Sequence, residues 1–361
     1  MPVDFIGLIS TQDGSESTPA TTALIDPAYT ARFARAHEDS GFDQVLIGYG
    51  SAYPDGAQVA AYAAAHTSTL KFLVAHRPGF VAPTLAARTF ATLDQFTGGR
   101  VTLNIITGGH DVEQRREGDY LDKDSRYARS DEYLSVLRQA WTATAPFSHD
   151  GPIYRFEDFV AQVKPVNGTI PLYFSGSSPA AYRTGVKHAD VYMFWGEPLA
   201  QIAEQIASVR AEAAALDRPA PGFSVSFRPI LGATEELAWE RAEAVLGRIG
   251  SVASPRFLRN RDRDNPANAG SQRLLAAAAA GDRHDRALWT ATAKASGAAG
   301  NSTALVGTPD TVAQALLDYY DLGVTTFLIR GYDPLDDAID YGRELIPAVR
   351  AEIAARDLVP A

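Results

Sequence analysis

The stretch "TLNIITGGHDVEQ" (102–114) raises a chemical question. A β-branched run ends in Asn104, Thr107 and two glycines, with Glu113 close behind. A parallel strand that stops this way delivers an amide, a hydroxyl and bare backbone to a polar loop. The dinucleotide fingerprint would need a third glycine opening a helix, and it is missing. A second stretch, "SGSSPA" (175–180), offers the hydroxyls of Ser177 and Ser178 with the free N–H groups of a helix start. That is a natural cradle for a phosphate or sulfonate, and equally a plain serine N-cap. In "SRYARSDEY" (125–133), Arg126 and Tyr127 put a cation and a phenol where they could share one phosphate, or simply open a solvated helix.

Other chemistries are poorly supplied. The chain has no cysteine, which excludes disulfides, thiolate metal sites and a Cys nucleophile. Its seven histidines show no ligand spacing, so no metal site is expected. The motif "FSGSSP" is not G-x-S-x-G. A net charge of −10 argues against a nucleic-acid partner, because phosphate backbones demand a basic surface. No apolar run is long enough to span a bilayer. The start "MPVDFIGLIS" reads directly as a strand with no basic n-region, so no signal peptide is expected and a soluble, cytoplasmic protein is.

These side chains must be positioned by a regular scaffold. Short β-rich runs at 3–9, 44–48, 71–79, 100–107, 171–176, 191–196, 223–231 and 325–331 alternate with amphipathic stretches. Helices are expected from near Asp26-Pro27, over 57–66, from Pro83 to Gly98-Gly99, from about Ser130 to Trp141, and from about Pro334. The runs look buried rather than alternating, as parallel strands covered on both faces do. Eight βα units without a composition break predict one (β/α)8 TIM barrel over 1–361, with a doubly wound open sheet as the alternative. The polar, Gly/Ala-rich segment 249–302 reads as a lid. Active sites of barrels lie at the carboxyl ends of the strands. Those ends carry Gly48-Tyr49-Gly50, His76-Arg77, Asn104 and Thr107, Ser175 to Ser178, Trp195-Gly196-Glu197, Ser226 and Arg228, and Arg330 to Tyr332. A mouth rich in hydroxyls, amides, aromatics and arginine suits a phosphorylated aromatic cofactor.

The segments "RPGFVAPTLAARTFATLDQFTGGRVTLNIITGG", "RYARSDEYL", "PLYFSGSSPAA", "WGEP", "TEELAW" and "STALVGTP" together make the chain resemble the bacterial luciferase-like flavin monooxygenases, and within them the alkanesulfonate monooxygenase branch. The resemblance runs nearly end to end. It implies a (β/α)8 barrel with insertions, reduced FMN supplied by a separate NAD(P)H-dependent flavin reductase, O2 as co-substrate, and a homodimer or homotetramer. It implies that Asn104 and Thr107 lie beside the isoalloxazine, that Glu113 holds the flavin's polar edge or ribityl chain, and that Arg126, Tyr127, Ser177 and Ser178 hold its phosphate.

The departures fall on the substrate side. Tyr53 stands where that branch has a cysteine, and Ser226 and Arg228 stand where it has an Arg-x-His pair. Ser296, with Lys294 nearby, replaces a lid arginine, while Trp195 and Tyr332 are kept. The expected catalytic set is Arg228, Tyr332, Trp195 and His76, with Arg228 gripping a small organic anion or else pairing with a local carboxylate. The expected reaction is cleavage of a C–S bond in a small organosulfur compound to sulfite and a carbonyl product. The alternatives are a deazaflavin-dependent hydride transfer with His76 as acid/base, and a non-catalytic flavin-binding protein.

Overall fold

The computed structural model describes residues 2–249, 268–298 and 300–357. Eight strands form the parallel sheet: β1 (Asp4–Ile9), β2 (Gln44–Ile47), β3 (Lys71–His76), β4 (Val101–Ile105), β5 (Leu172–Ser175), β6 (Val191–Trp195), β7 (Gly222–Leu231) and β8 (Val324–Ile329). They are hydrogen-bonded in chain order, β7 pairs with both β6 and β8, and β8 returns to β1, so the sheet closes into a barrel. An open doubly wound sheet is excluded. The helices that follow the strands are α1 (Pro27–Asp39), α2 (Gly56–Ala64), α3 (Pro83–Thr97), α4 (Asp111–Arg116), α5 (Lys123–Thr142), α6 (Pro179–His188), α7 (Leu199–Ala215), α8 (Glu235–Arg248), α9 (Ala269–Ala280), α10 (Ala291–Ser296), α11 (Pro309–Tyr320), α12 (Pro334–Asp340) and α13 (Ile346–Asp357).

Local chemistry sets these boundaries. Asp26, Asp55, Asp122, Ser178, Thr234 and Thr308 cap their helices by accepting a backbone N–H. Proline at the first turn of α1, α3, α6 and α11 sets φ where no donor is lost. Helix α3 stops at Gly98 in the left-handed conformation, as its Gly-Gly pair predicts.

The chain packs as two compact units, Met1–Val45 with Met193–Ser208 and Gly222–Ala361, and Leu46–Tyr192 with Val209–Pro221. In the first, β1 and β7 flank β8 in parallel register, with Phe5 opposite Phe327 and Ser226 opposite Leu328. The second half of β7 pairs with an extra strand, Ala304–Gly307, which continues into short antiparallel pairs at Leu288–Trp289 and Arg283–His284. In the second unit, β4 lies between β3 and β5, which places Asn104 opposite both Ala75 and Tyr173. A hairpin, Phe147–Asp150 with Arg155–Phe159, fills the polar excursion after α5.

The expected lid falls in two parts. Residues 250–267 lie outside the described residues. Residues 268–298 are regular: Leu274 on α9 and Ala293 on α10 pack with Ala298, and Trp195 lies against them. Arg273 of α9 donates to Glu197 at 3.1 and 2.8 Å, tying this segment to the loop after β6.

Candidate cofactor and substrate sites

In the second unit, β5 delivers the main chain of Gly176 to the start of α6. Gly176 has φ +141°, and a Cβ there would lie 2.7 Å from Ala181 Cβ and 3.2 Å from Tyr127 Oη. Only glycine leaves that space open. Tyr127 hydrogen-bonds Ser178, whose Oγ accepts the Ala181 N–H at 3.3 Å. The Gly176 carbonyl accepts from Tyr192 Oη at 2.7 Å, which fixes the turn. Burial raises the Tyr127 pKa, so its phenol keeps its proton at neutral pH and can donate. Of the four residues expected at a phosphate, Tyr127 and Ser178 therefore lie together beside Gly176, with Ser177 in the same turn.

Asn104, at 8% exposure, has a buried Oδ1 with no hydrogen-bond partner. An orphaned amide oxygen is costly unless a ligand answers it. Thr107 Oγ1 lies 3.4 Å from Ser130 Oγ. These two observations, an unanswered amide and a cradle that a Cβ would fill, fit a polar ring with a phosphate tail.

Arg126 and Glu113 are placed differently from expectation. Arg126 is buried and turned onto local acceptors: Asp111 Oδ1 at 2.8 Å, Leu121 O at 2.5 Å and Gly108 O at 3.4 Å. It ties the loop after β4 to α5 instead of presenting a cation to a phosphate. Glu113 Oε1 accepts the Ser51 N–H at 2.6 Å, and its Oε2 takes Arg116 at 3.2 Å. Burial works against its ionised form, but the Ser51 hydrogen bonds and the Arg77 and Arg116 charges outweigh it and lower its pKa. It clasps the loop after β2.

A group that sequence reasoning passed over does similar work. Glu117 accepts from Tyr49 Oη and from Arg77, both at 2.8 Å, and the Arg77 guanidinium stacks 4.4 Å above the Tyr49 ring. The signal was only an Arg and a Tyr at adjacent strand ends. His76 is a core histidine: its Nε2 lies 2.7 Å from Tyr133 Oη, and burial lowers its pKa to about 4. It is neutral at pH 7.

In the first unit, Arg228 is wholly buried. Its Nε donates to Arg330 O at 3.2 Å, one terminal nitrogen to Gly331 O at 2.8 Å, and the other to the carboxylate of Glu16. Its guanidinium also lies 3.7 Å above the ring of Tyr332. Of the two expectations for Arg228, the structure shows the local carboxylate pair, not an open grip on an anion. Tyr332 is its buried platform, with a pKa raised by burial. Ser226 Oγ donates to Phe194 O at 3.3 Å. Trp195 abuts α9, where a Cβ on Gly270 would lie 2.7 Å from its ring. Lys294 is exposed on α10. Glu16, in the loop after β1, is the first unit's overlooked residue, because strand ends read from β2 onward miss it.

Among the described residues no cluster could hold a metal ion, and no helix is long and apolar enough to cross a membrane.

Solved structures with this fold include a riboflavin lyase with modified FMN and riboflavin, at 20% identity and a TM-score of 0.81 over 98% of this chain and 92% of that one. They include EDTA monooxygenase from Chelativorans sp. BNC1, at 17% identity and 0.78 over 100% and 95%. DmoA from Hyphomicrobium sulfonivorans matches at 19% and 0.78 over 98% and 89%. With its sequence matching over residues 3–326, this chain belongs to the luciferase-like monooxygenase family, an enzyme family of flavin-dependent monooxygenases.

Proposed function

We propose that the protein is the oxygenating component of a two-component system. It takes reduced FMN from a separate NAD(P)H-dependent flavin reductase and uses O2 to oxidise a small organosulfur compound at a C–S bond. With an uncharged sulfone, one O2 and one reduced flavin give an aldehyde, a sulfinic acid, oxidised flavin and water. The observation that carries the cofactor assignment is the Gly176–Tyr127–Ser178 cradle. Reduced flavin, when bound, supplies the two electrons that activate O2.

The chain's own residues bind and orient it. The main chain of the turn from Gly176 into α6 and the Tyr127 hydroxyl would answer a phosphate, helped by the positive end of the helix dipole; Pro179 has no N–H and the Ala181 N–H is taken by Ser178. Asn104 Oδ1, buried without a partner, would be the acceptor available to a donor on the ring. Apolar barrel side chains such as Leu103, Ile105 and Phe174, all buried, exclude water from the strands that carry these groups. The organosulfur class rests on the branch resemblance in "PLYFSGSSPAA", "WGEP" and "TEELAW". The same reading includes a homodimer or homotetramer, supported by Phe96 standing 88% exposed and Leu85 45% exposed on α3, and light scattering checks it.

Anaerobic titration of reduced FMN tests the cofactor, with quenching of protein fluorescence as readout. Binding at micromolar concentration, with reduced deazaflavin at least tenfold weaker, is expected. No binding of FMN, or tighter binding of the deazaflavin, overturns the reading. Substrate class is tested by substrate-dependent carbonyl formation with a panel of sulfones, sulfonates and carboxylates in the presence of a flavin reductase; no carbonyl product from any organosulfur member overturns the C–S assignment.

A further inference from the structure

The loop between β1 and α1 is built to hold one carboxylate in place. Asp13 accepts the N–H groups of Thr21 and Thr22, both at 2.8 Å, closing the loop on itself. Ser15 Oγ donates to Tyr332 O at 2.6 Å, and Thr18 Oγ1 donates to Asp333 Oδ1 at 3.2 Å. Both anchors pin the loop to the segment after β8. Glu16 sits between them and reaches Arg228, while Arg330 approaches the same Oε1 at 3.4 Å.

Two guanidinium groups at the carboxyl ends of β7 and β8 thus share one internal carboxylate. All three nitrogens of Arg228 have acceptors and its face is covered by Tyr332. Burial opposes ionisation of Glu16, but the charges of Arg228 and Arg330 overcome it and lower its pKa to about 2. The carboxylate is therefore charged across the physiological range. Beside it lies a cavity of about 60 Å³ lined by Ser10, Ser15, Glu16, His37 and Arg330. Carboxylate oxygens and sulfonate oxygens meet a guanidinium in the same way, so an incoming oxyanion finds its position on Arg228 taken. Moving Glu16 aside would strand a buried carboxylate or require the two-sided loop anchors to break.

We propose that Glu16 is a specificity-determining residue, an internal carboxylate that fills the oxyanion position on Arg228, so that this end of the barrel rejects sulfonates and carboxylates and favours uncharged organosulfur compounds. The organosulfur class rests on the function proposed above; the exclusion of anions rests on the Glu16–Arg228 geometry alone.

The test compares wild type with Glu16→Ala, Glu16→Gln and the Glu16→Ala/Arg228→Leu double variant. Methanesulfonate and formate serve as probes, sodium chloride at equal ionic strength as control, and calorimetric affinity and Tm as readouts. Wild type should show no saturable response beyond the chloride control. Glu16→Ala should melt lower, recover with either anion in a saturable manner, and bind methanesulfonate at least tenfold more tightly than wild type. The double variant should lose that response. Glu16→Gln, which keeps the side-chain size, should gain affinity in the same direction and carries the test if the alanine variant does not fold. Saturable binding of methanesulfonate by wild type as tight as by the variants, or no anion response in either variant, overturns the proposal. FMN affinity measured on the same proteins separates this failure from failure of the cofactor assignment.

Discussion

Asn104 carries a cost that the ligand-free protein does not recover. Its Oδ1 is buried without a partner, and an unsatisfied buried acceptor costs about 1–3 kcal/mol. Leucine has nearly the same volume and no oxygen to satisfy. Asn104→Leu should therefore raise the Tm of the FMN-free protein while weakening FMN binding at least tenfold, a trade expected where binding groups are held ready. Thermal melts with and without FMN check both halves; a Tm that falls without ligand would show that Oδ1 was satisfied after all. The places of Asn104 at a strand end and Ser178 at a helix start were legible in the sequence, because local pattern sets both; the role of Tyr127 was legible only through the resemblance. Arg228 was legible as a cation but not as a paired one. Its partner lies 212 residues away in the chain, and no local pattern encodes that contact.

At the scale of elements, the eight strands fall where their buried runs place them, whereas α5 begins at Lys123, seven residues before Ser130. The reason is physical. The first inward residues of α5 are Arg126 and Arg129, both buried, so a search for apolar periodicity passes over its first two turns. Arg129 is answered by Asp119 at 2.5 Å. Similarly, "LLAAAAA" lies in the segment read as a lid loop but folds as part of α9, since alanine is the strongest helix former. The loop from α4 to α5 is held by such carboxylate–arginine contacts. Glu117→Ala removes the acceptor for both Tyr49 and Arg77 and leaves the buried Arg77 guanidinium without its counter-ion. Losing one partner of a fully buried pair costs about 3–5 kcal/mol; with Glu117 partly exposed, about 2 kcal/mol is expected. Urea unfolding measures the loss, and hydrogen exchange should quicken first in the amides of 111–121. Exchange that quickens evenly over the chain would show that Glu117 does not latch this segment.

At the scale of the whole molecule, stability against acid depends most on two buried histidines, His37 in the first unit and His76 in the second; at His188, also buried, burial lowers the pKa but the Asp131 carboxylate works against it. His37 of α1 bonds Phe33 O through Nδ1 at 2.9 Å and packs edge-on to Phe42 at 4.8 Å. It fits only because Gly7 of β1 lacks a side chain: a Cβ there would lie 2.2 Å from the imidazole. His76 of β3 is enclosed by Phe90 and Tyr133. Burial lowers both pKa values from 6.5 to about 4. In the unfolded chain both rings take a proton below pH 6.5, while in the folded protein they do so only near 4. Their contribution is thus fully present above pH 6.5 and is lost as pH falls toward 4, about 3 kcal/mol for each ring. The Glu16 pair fades later, between 4.5 and about 2. Unfolding free energy should then fall between pH 6.5 and 4 with a slope approaching about 2.7 kcal/mol per pH unit. His37→Gln should lower that slope by the share of one ring, up to about 1.4 kcal/mol per pH unit, and leave the share that belongs to His76. Urea unfolding across pH 4–8 measures both slopes. A profile flat from pH 7 down to 5 in the wild type would mean that neither ring is buried in the neutral form, and that the packing of β1 on α1 and of β3 on α5 is looser than described here.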